Sequence, residues 1–259
     1  MPATPAPPTE SPSGRVPRRR WRIALLLGLG VVVNYLDRVN VSVSQDALHA
    51  SFGISVVTFG FLLSAYNWTY ALMQLPSGVL LDRFGVRLVG RVGSFLWSVA
   101  SFAAAVSPGL GSFIAARFLL GVGEGPTFPG NAKAIGAWFP QNERSLATAI
   151  TDGAAKFAAA VGVPFVGLLL IHFGWRWSFA ATGLISFLYF IVFYWVYRSP
   201  EEDGELSAAE RELIAQGGGV PERAVANQPG NSLAFLVRQP KVLGLAMGWG
   251  AYNYSFYLL

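Results

Sequence analysis

Two sets of acidic and basic side chains interrupt otherwise apolar runs of this chain. The first is Asp37-Arg38 within VVVNYLDRVNVSVS; the second is Arg117 with Glu124 within ARFLLGVGEGPTFPG. Ionisable groups are costly at bilayer depth, and where they occur they usually line a path for an ion or solute. A carboxylate in such a place can carry a proton, because burial favours the neutral acid while a nearby arginine favours the ionised one. An anionic solute that draws the arginine away then links its own binding to that of a proton. On this reasoning Asp37 and Glu124 are candidate proton carriers, and Arg38 and Arg117 are the candidate cations that bias them. The contrary reading is that Pro126 kinks a packed helix and Arg117 simply neutralises Glu124.

Other polar features cluster in the same runs. Pro126 and Pro129 each remove a backbone donor and free carbonyls near Val122 and Gly125. Freed carbonyls at membrane depth need a protein partner or a wet cavity. Gly121 and Gly125 would let another helix approach closely. Asp152 and Lys156 stand four apart, acid first, and read as a buried pair on one helix face. Lys156 is then either a cation for a substrate carboxylate or half of a self-neutralised pair. Tyr66, Tyr70 and Gln74 form a stripe at helical spacing that suits stacking and hydrogen bonding to a solute, or contacts between helices. The turn Gly78 to Arg87 places Asp82, Arg83 and Arg87 around Gly85, which permits a tight reversal. Its charges suit ion pairs that form and break at a gate.

The elements that must carry these residues are long apolar helices. The chain is 53% apolar and 13% charged, against about a quarter charged for a soluble domain, so an all-α integral membrane protein is expected. Spans of about 20 apolar residues are read at 22–45, 55–81, 87–107, 111–138, 145–171 and 176–197, with another beginning at 241. Residues 1–21 read as a disordered basic tail and 22–197 as a six-helix unit. A polar linker follows at 198–240, with a short amphipathic helix near 207–215, and 241–259 begins a seventh helix. Arg18, Arg19, Arg20 and Arg22, with Arg83, Arg87 and Arg144 in alternate turns, place the N-terminus in the cytoplasm of a multi-pass inner-membrane protein. From a rise of ~1.5 Å per residue, Asp37 and Arg38 lie roughly 22 Å along the first span, level with Arg117, and Glu124 lies deeper. His49 and His172 read as loop-edge residues. No cofactor, metal or nucleic-acid site is expected. The sequence GVGEG falls within a span rather than after a strand, and no Ser-His-Asp set or metal-ligand spacing appears, so an enzyme is not expected.

The 78–87 turn resembles the signature loop between helices 2 and 3 of the major facilitator superfamily. NYLDRVNVSVS, RFLLGVGEGPTFPGNAKAIGAWFP and AYNYSFYLL are similar to helices 1, 4 and 7 of its anion:cation symporter family, whose members include galactonate, glucarate and hexuronate carriers. The resemblance implies the N-terminal half of a twelve-helix fold built from inverted 3+3 repeats, working by alternating access on a small organic anion and protons. It implies proton coupling at Asp37 and Glu124, and substrate binding at Arg38, Tyr35 and Tyr70. Two departures stand out. Ala155 occupies a place where sugar-acid carriers commonly have an amide, with Lys156 following, and Val86 replaces a usual basic residue. The C-terminal half that a complete path requires is absent from the 259 residues. The alternatives are a membrane sensor or assembly subunit that docks through its acidic loop, and an inactive half-transporter.

Overall fold

The computed structural model describes residues 18–222, 235 and 238–258. Most of the expected N-terminal tail and residues 223–234 of the expected linker lie outside the described residues. The chain divides into residues 1–223 and 224–259. In the first unit the order is α1 (Arg19–Val43), α2 (Gln45–Phe52), α3 (Val56–Ala105), α4 (Leu110–Glu124), α5 (Thr127–Trp138), α6 (Arg144–Phe173), α7 (Trp175–Val196) and α8 (Ala208–Gln216). The second unit holds α9 (Pro240–Leu258). Among the described residues, α1, α3, α6 and α7 are long and apolar enough to cross a membrane.

Two of the expected spans appear as one element, α3, and one appears as two. At 50 residues α3 would extend about 75 Å if straight, more than twice the ~30 Å hydrocarbon thickness. It breaks at Gly85, whose φ of 78° and ψ of 165° suit a residue without Cβ. The two limbs then pack on the same stretch of α4: Met73 borders Gly125 and Gly93 borders Gly123. The expected single span 111–138 is interrupted instead at Gly125-Pro126, because proline cannot donate to the helical ladder. Both residues keep right-handed helical angles, so α4 and α5 bend rather than reverse.

The remaining packing follows the small residues. Ala147, Thr151, Ala155, Ala158, Gly162 and Val166 recur every three or four residues and form the buried seam of α6. That seam meets α1, with Gly28 against Ile150 and Gly162 against Leu36. One end of the unit is closed by aromatic packing of Phe52, Phe113, Trp175 and Phe179. His49 lies within α2, not at a loop edge, and its Nδ1 sits 2.7 Å from the Ile54 carbonyl. His172 lies exposed in the last turn of α6.

The opposite end gathers the basic turns, and there the acidic linker is part of the structure. Glu210 of α8 is fully buried and accepts the Arg19 and Arg20 backbone N–H groups at 3.2 and 3.0 Å, which caps α1. It also binds the Arg20 guanidinium at 2.9 Å, while Glu143 takes that group's other edge at 2.7 and 3.0 Å. Asp203 holds Arg19 at 2.9 Å. Glu222 accepts Val86 N–H at 3.0 Å, at the start of the second α3 limb, and the Tyr197 hydroxyl at 2.6 Å. Burial pushes the Glu222 carboxyl above its ordinary range, against the lowering effect of these two donors. Arg19 and Arg20 are thus fixed partners of linker carboxylates as well as a basic cluster.

Two stability outcomes are expected. A Cβ at Gly123 would stand 2.7 Å from Trp97 N and 3.0 Å from Gly93 O, both backbone atoms that cannot swing aside, whereas Gly136 has open space around it. Gly123→Ala should therefore lower the apparent Tm of the detergent-solubilised protein, and Gly136→Ala should leave it unchanged or slightly raised. Glu210→Ala should cost about 3 kcal/mol, because it removes the buried one of two carboxylates paired with Arg20 and uncaps α1. Thermal unfolding of the purified variants measures both effects.

Candidate functional site

Glu124 ends α4, one residue before the Pro126 bend begins, and its side chain is fully buried. Its position is set by a close approach of α4 to α3. A Cβ at Gly121 would stand 2.5 Å from Tyr66 O and 2.9 Å from Tyr70 N, so only glycine lets the helices meet at this level. The small-residue spacing anticipates that approach. Three residues further along α4, Glu124 receives the Tyr66 hydroxyl on Oε2 at 2.5 Å. Its Oε1 is buried with no hydrogen-bond partner.

The arginine facing Glu124 comes from α1. Arg38 Nε lies 3.6 Å from Glu124 Oε2, and the Arg38 side chain keeps 22% exposure. Its guanidinium carbon sits over three tyrosine rings, at 5.0 Å from Tyr35, 5.2 Å from Tyr66 and 4.8 Å from Tyr70. Cation–π contacts of this kind hold a guanidinium while leaving donors unused. Arg38 Nε and Nη2 have no hydrogen-bond partner. Arg117, buried on α4, lies 4.9 Å from the Tyr66 ring, and its Nε is also unpartnered. The site is thus an arginine pair and one carboxylate arranged around Tyr66, with tyrosines walling the more exposed arginine.

This pairing differs from the one expected along the sequence. Asp37 does not share the site with its neighbour Arg38, because successive helical side chains point about 100° apart. Asp37 is buried, with Ser101 of α3 donating to one oxygen and Ser186 of α7 to the other, each at 2.9 Å. Both arginines lie over the Tyr66 ring, and Arg38 is the one in ion-pair range of Glu124. Asp152 and Lys156 differ from the expected buried pair. They are exposed on α6 rather than buried, since each follows a residue of the α6 seam (Thr151, Ala155) and lies outside it.

The turn residues hold the basic end together. Asp82 pairs with Lys133 of α5, Arg87 pairs with Glu202 at 2.5 Å, and Arg83 lies over Phe84 at 5.4 Å. Gly78 has open space around it, and Gly85 makes the bend. Tyr66 is the first residue of the tyrosine stripe seen in the sequence, four before Tyr70 on one face. Three further contributors are not legible there. Ser101 and Ser186 carried no signal beyond being serines in apolar helices. Lys133 carried only its charge.

A sequence profile of the Major Facilitator Superfamily matches residues 27–259. An uncharacterised transporter, YybO, of Bacillus subtilis is 38% identical over 240 residues, covering 93% of this chain and 55% of that protein. A D-galactonate transporter of Escherichia coli O6:H1 is 34% identical, covering 89% and 55%. A probable galactarate/D-glucarate transporter, GudP, of Bacillus subtilis is 34% identical, covering 81% and 48%. The chain spans about half the length of these curated relatives. Among solved structures, a bacterial homologue of the human lysosomal transporter Spinster superposes with a TM-score of 0.65 at 20% identity, covering 78% of this chain and 49% of that one. The proton:xylose symporter XylE gives 0.64 at 18%, covering 77% and 50%. At these identities the likeness is one of fold: the all-helical unit corresponds to about half of a transporter of this type. The chain belongs to the Major Facilitator Superfamily.

Proposed function

We propose that the protein to which this chain belongs is a proton-coupled symporter of the anion:cation symporter family. It carries a small organic anion, a sugar acid or other carboxylate, by alternating access across the inner membrane with the N-terminus cytoplasmic. The observation that carries this reading is the Arg38–Glu124 contact. Arg38 lies within ion-pair range of a buried carboxylate and keeps 22% exposure, ringed by Tyr35, Tyr66 and Tyr70, with Nε and Nη2 unpartnered. A substrate carboxylate offers a guanidinium better, bidentate geometry than a single oxygen at 3.6 Å. Once Arg38 turns to the substrate, Glu124 loses its nearest compensating charge, and a buried carboxylate without one takes up a proton. Anion and proton thereby load together.

Arg117 supplies a second positive charge behind Tyr66, and the tyrosine hydroxyls suit the hydroxyl groups of a sugar acid. Asp37 is the second proton carrier. The exposed face of α6 that bears Asp152 and Lys156 is read as facing the other half of the complete transporter, where Lys156 adds a cation for a second carboxylate. The ion pairs at Asp82 and Arg87 belong to the cytoplasmic gate. The relatives named as galactonate and galactarate/glucarate transporters support an acidic sugar as cargo. The sensor alternative would have to dock through the exposed Glu201, Glu202, Glu205 and Glu212, because Asp203, Glu210 and Glu222 are buried against the chain's own helices.

The test is uptake of a labelled aldonate or aldarate into proteoliposomes bearing the full-length transporter. An inward proton gradient should drive accumulation. Glu124→Gln should abolish accumulation while retaining exchange of substrate across the membrane. Arg38→Ala should lose both by at least a hundredfold, the size expected when a bidentate charged contact is removed. Uptake indifferent to the proton gradient, or an active Arg38→Ala protein, would overturn the reading.

A further inference from the structure

The second limb of α3 and α7 pack along a seam that the solute site does not use. Phe102 borders Gly183, Phe95 lies 5.4 Å from Phe190, and Phe193 borders Gly90. The exposed residues beside this seam, from Val92 to Phe102 on α3 and from Leu184 to Trp195 on α7, are all apolar or aromatic. The exposed face of α6, by contrast, bears Asp152 and Lys156. A continuous uncharged strip on spanning helices suits contact with acyl chains. Tyr194 and Trp195 stand at its basic end, 41% and 69% exposed, where aromatic rings commonly mark the boundary with lipid headgroups.

Three arginines close the strip at that boundary. Arg91 lies over the Tyr194 ring at 4.1 Å and donates to the Tyr194 carbonyl at 2.6 Å. Arg198 donates to the same carbonyl at 3.2 Å and to Tyr197 O at 3.1 Å. Arg87, one helical turn before Arg91, is a further nearby positive charge. Arg91 and Arg198 thereby satisfy carbonyls that the end of α7 leaves open. That role occupies few of their donors, since each guanidinium has five. The Nε groups of Arg87 and Arg91 are buried without a partner. Among the described residues neither Arg91 nor Arg198 makes an ion pair, and Glu202, bound to Arg87 at 2.5 Å, is the carboxylate in contact with the cluster. Like charges gathered at a low-dielectric surface repel one another unless an anion comes between them.

We propose that Arg91 and Arg198, with Arg87 beside them, bind the phosphate of an anionic phospholipid whose acyl chains lie along the α3–α7 seam. The order along the seam matches the parts of such a lipid: an apolar strip, then Tyr194 and Trp195, then the arginines. A phosphodiester offers a guanidinium two oxygens in bidentate geometry and can bridge Arg91 to Arg198. Basic pockets between helix ends hold lipid headgroups in this way. The uncompensated charge selects an anionic headgroup over a zwitterionic one, whose ammonium would return a positive charge to the cluster. The site is independent of cargo and of proton coupling, since Arg38 and Glu124 belong to α1 and α4. The bound lipid braces the second limb of α3 against α7, the two elements that hold Asp37 through Ser101 and Ser186.

Native mass spectrometry of the delipidated full-length transporter tests the site, by titration with phosphatidylglycerol or with phosphatidylcholine of the same acyl chains. One phosphatidylglycerol should bind about tenfold more tightly than phosphatidylcholine, and the double variant Arg91→Gln, Arg198→Gln should lose that tight site. Glu202→Gln removes the competing carboxylate from Arg87 and should tighten phosphatidylglycerol binding about threefold. This second variant decides the matter even if the double variant does not fold. Equal binding of the two lipids, a tight site that survives without Arg91 and Arg198, or no gain in Glu202→Gln would overturn the proposal. Displacement of phosphatidylglycerol by millimolar inorganic phosphate would mark a site for soluble anions and overturn the lipid assignment.

Discussion

A carboxylate buried among apolar helices has to be compensated, and for Glu124 the compensation is thin. Removing such an ion from water costs several kcal/mol, and attraction to a counter-charge repays it only with good geometry and filled lone pairs. Glu124 has one short bond, from Tyr66, one guanidinium at 3.6 Å and one bare oxygen. A well-made structural ion pair would be shorter and bidentate. The loose pairing makes Arg38 available to another anion and leaves Glu124 responsive to its departure.

The local architecture serves that arrangement. Gly121 lets α4 lie against the α3 backbone at Tyr66 and Tyr70, which brings the Tyr66 hydroxyl to Glu124. The bend at Gly125-Pro126 follows at once, so Glu124 sits where the helix ladder is interrupted. From α1, helical geometry sends Arg38 toward this cluster and Asp37 toward Ser101 and Ser186. One helix thereby feeds two separate polar regions. At the basic end, linker carboxylates hold the helix starts: Glu210 caps α1 and Glu222 caps the second limb of α3. The linker is in this sense part of the helical unit, with Asp203, Glu210 and Glu222 buried inside the chain.

Much of this was legible in the sequence. The apolar runs located the long helices within a few residues, since twenty apolar positions in a row have few other uses. Gly85 announced the bend in α3, and the glycines of α4 announced its close approach. Which acid meets which arginine was not legible. Asp37 and Arg38 are neighbours in sequence but diverge in space, and Arg38 reaches Glu124 only because α1 packs where it does. Asp152 and Lys156 followed the spacing of a pair, yet the small-residue seam of α6 sends them outward. The linker carboxylates were hidden for another reason. A buried capping glutamate and a solvated one look alike in a polar segment, and only tertiary contacts separate Glu210 from Glu212.

The central claim is that anion binding at Arg38 releases Glu124 to take a proton. Calorimetric titration of an aldonate into the full-length transporter, repeated in buffers of different ionisation enthalpy, counts the protons that move on binding. Near neutral pH the account predicts net proton uptake with anion binding in the wild-type protein, and none in Glu124→Gln, which should still bind the anion. Binding of equal strength in both proteins with no change in proton count would contradict it.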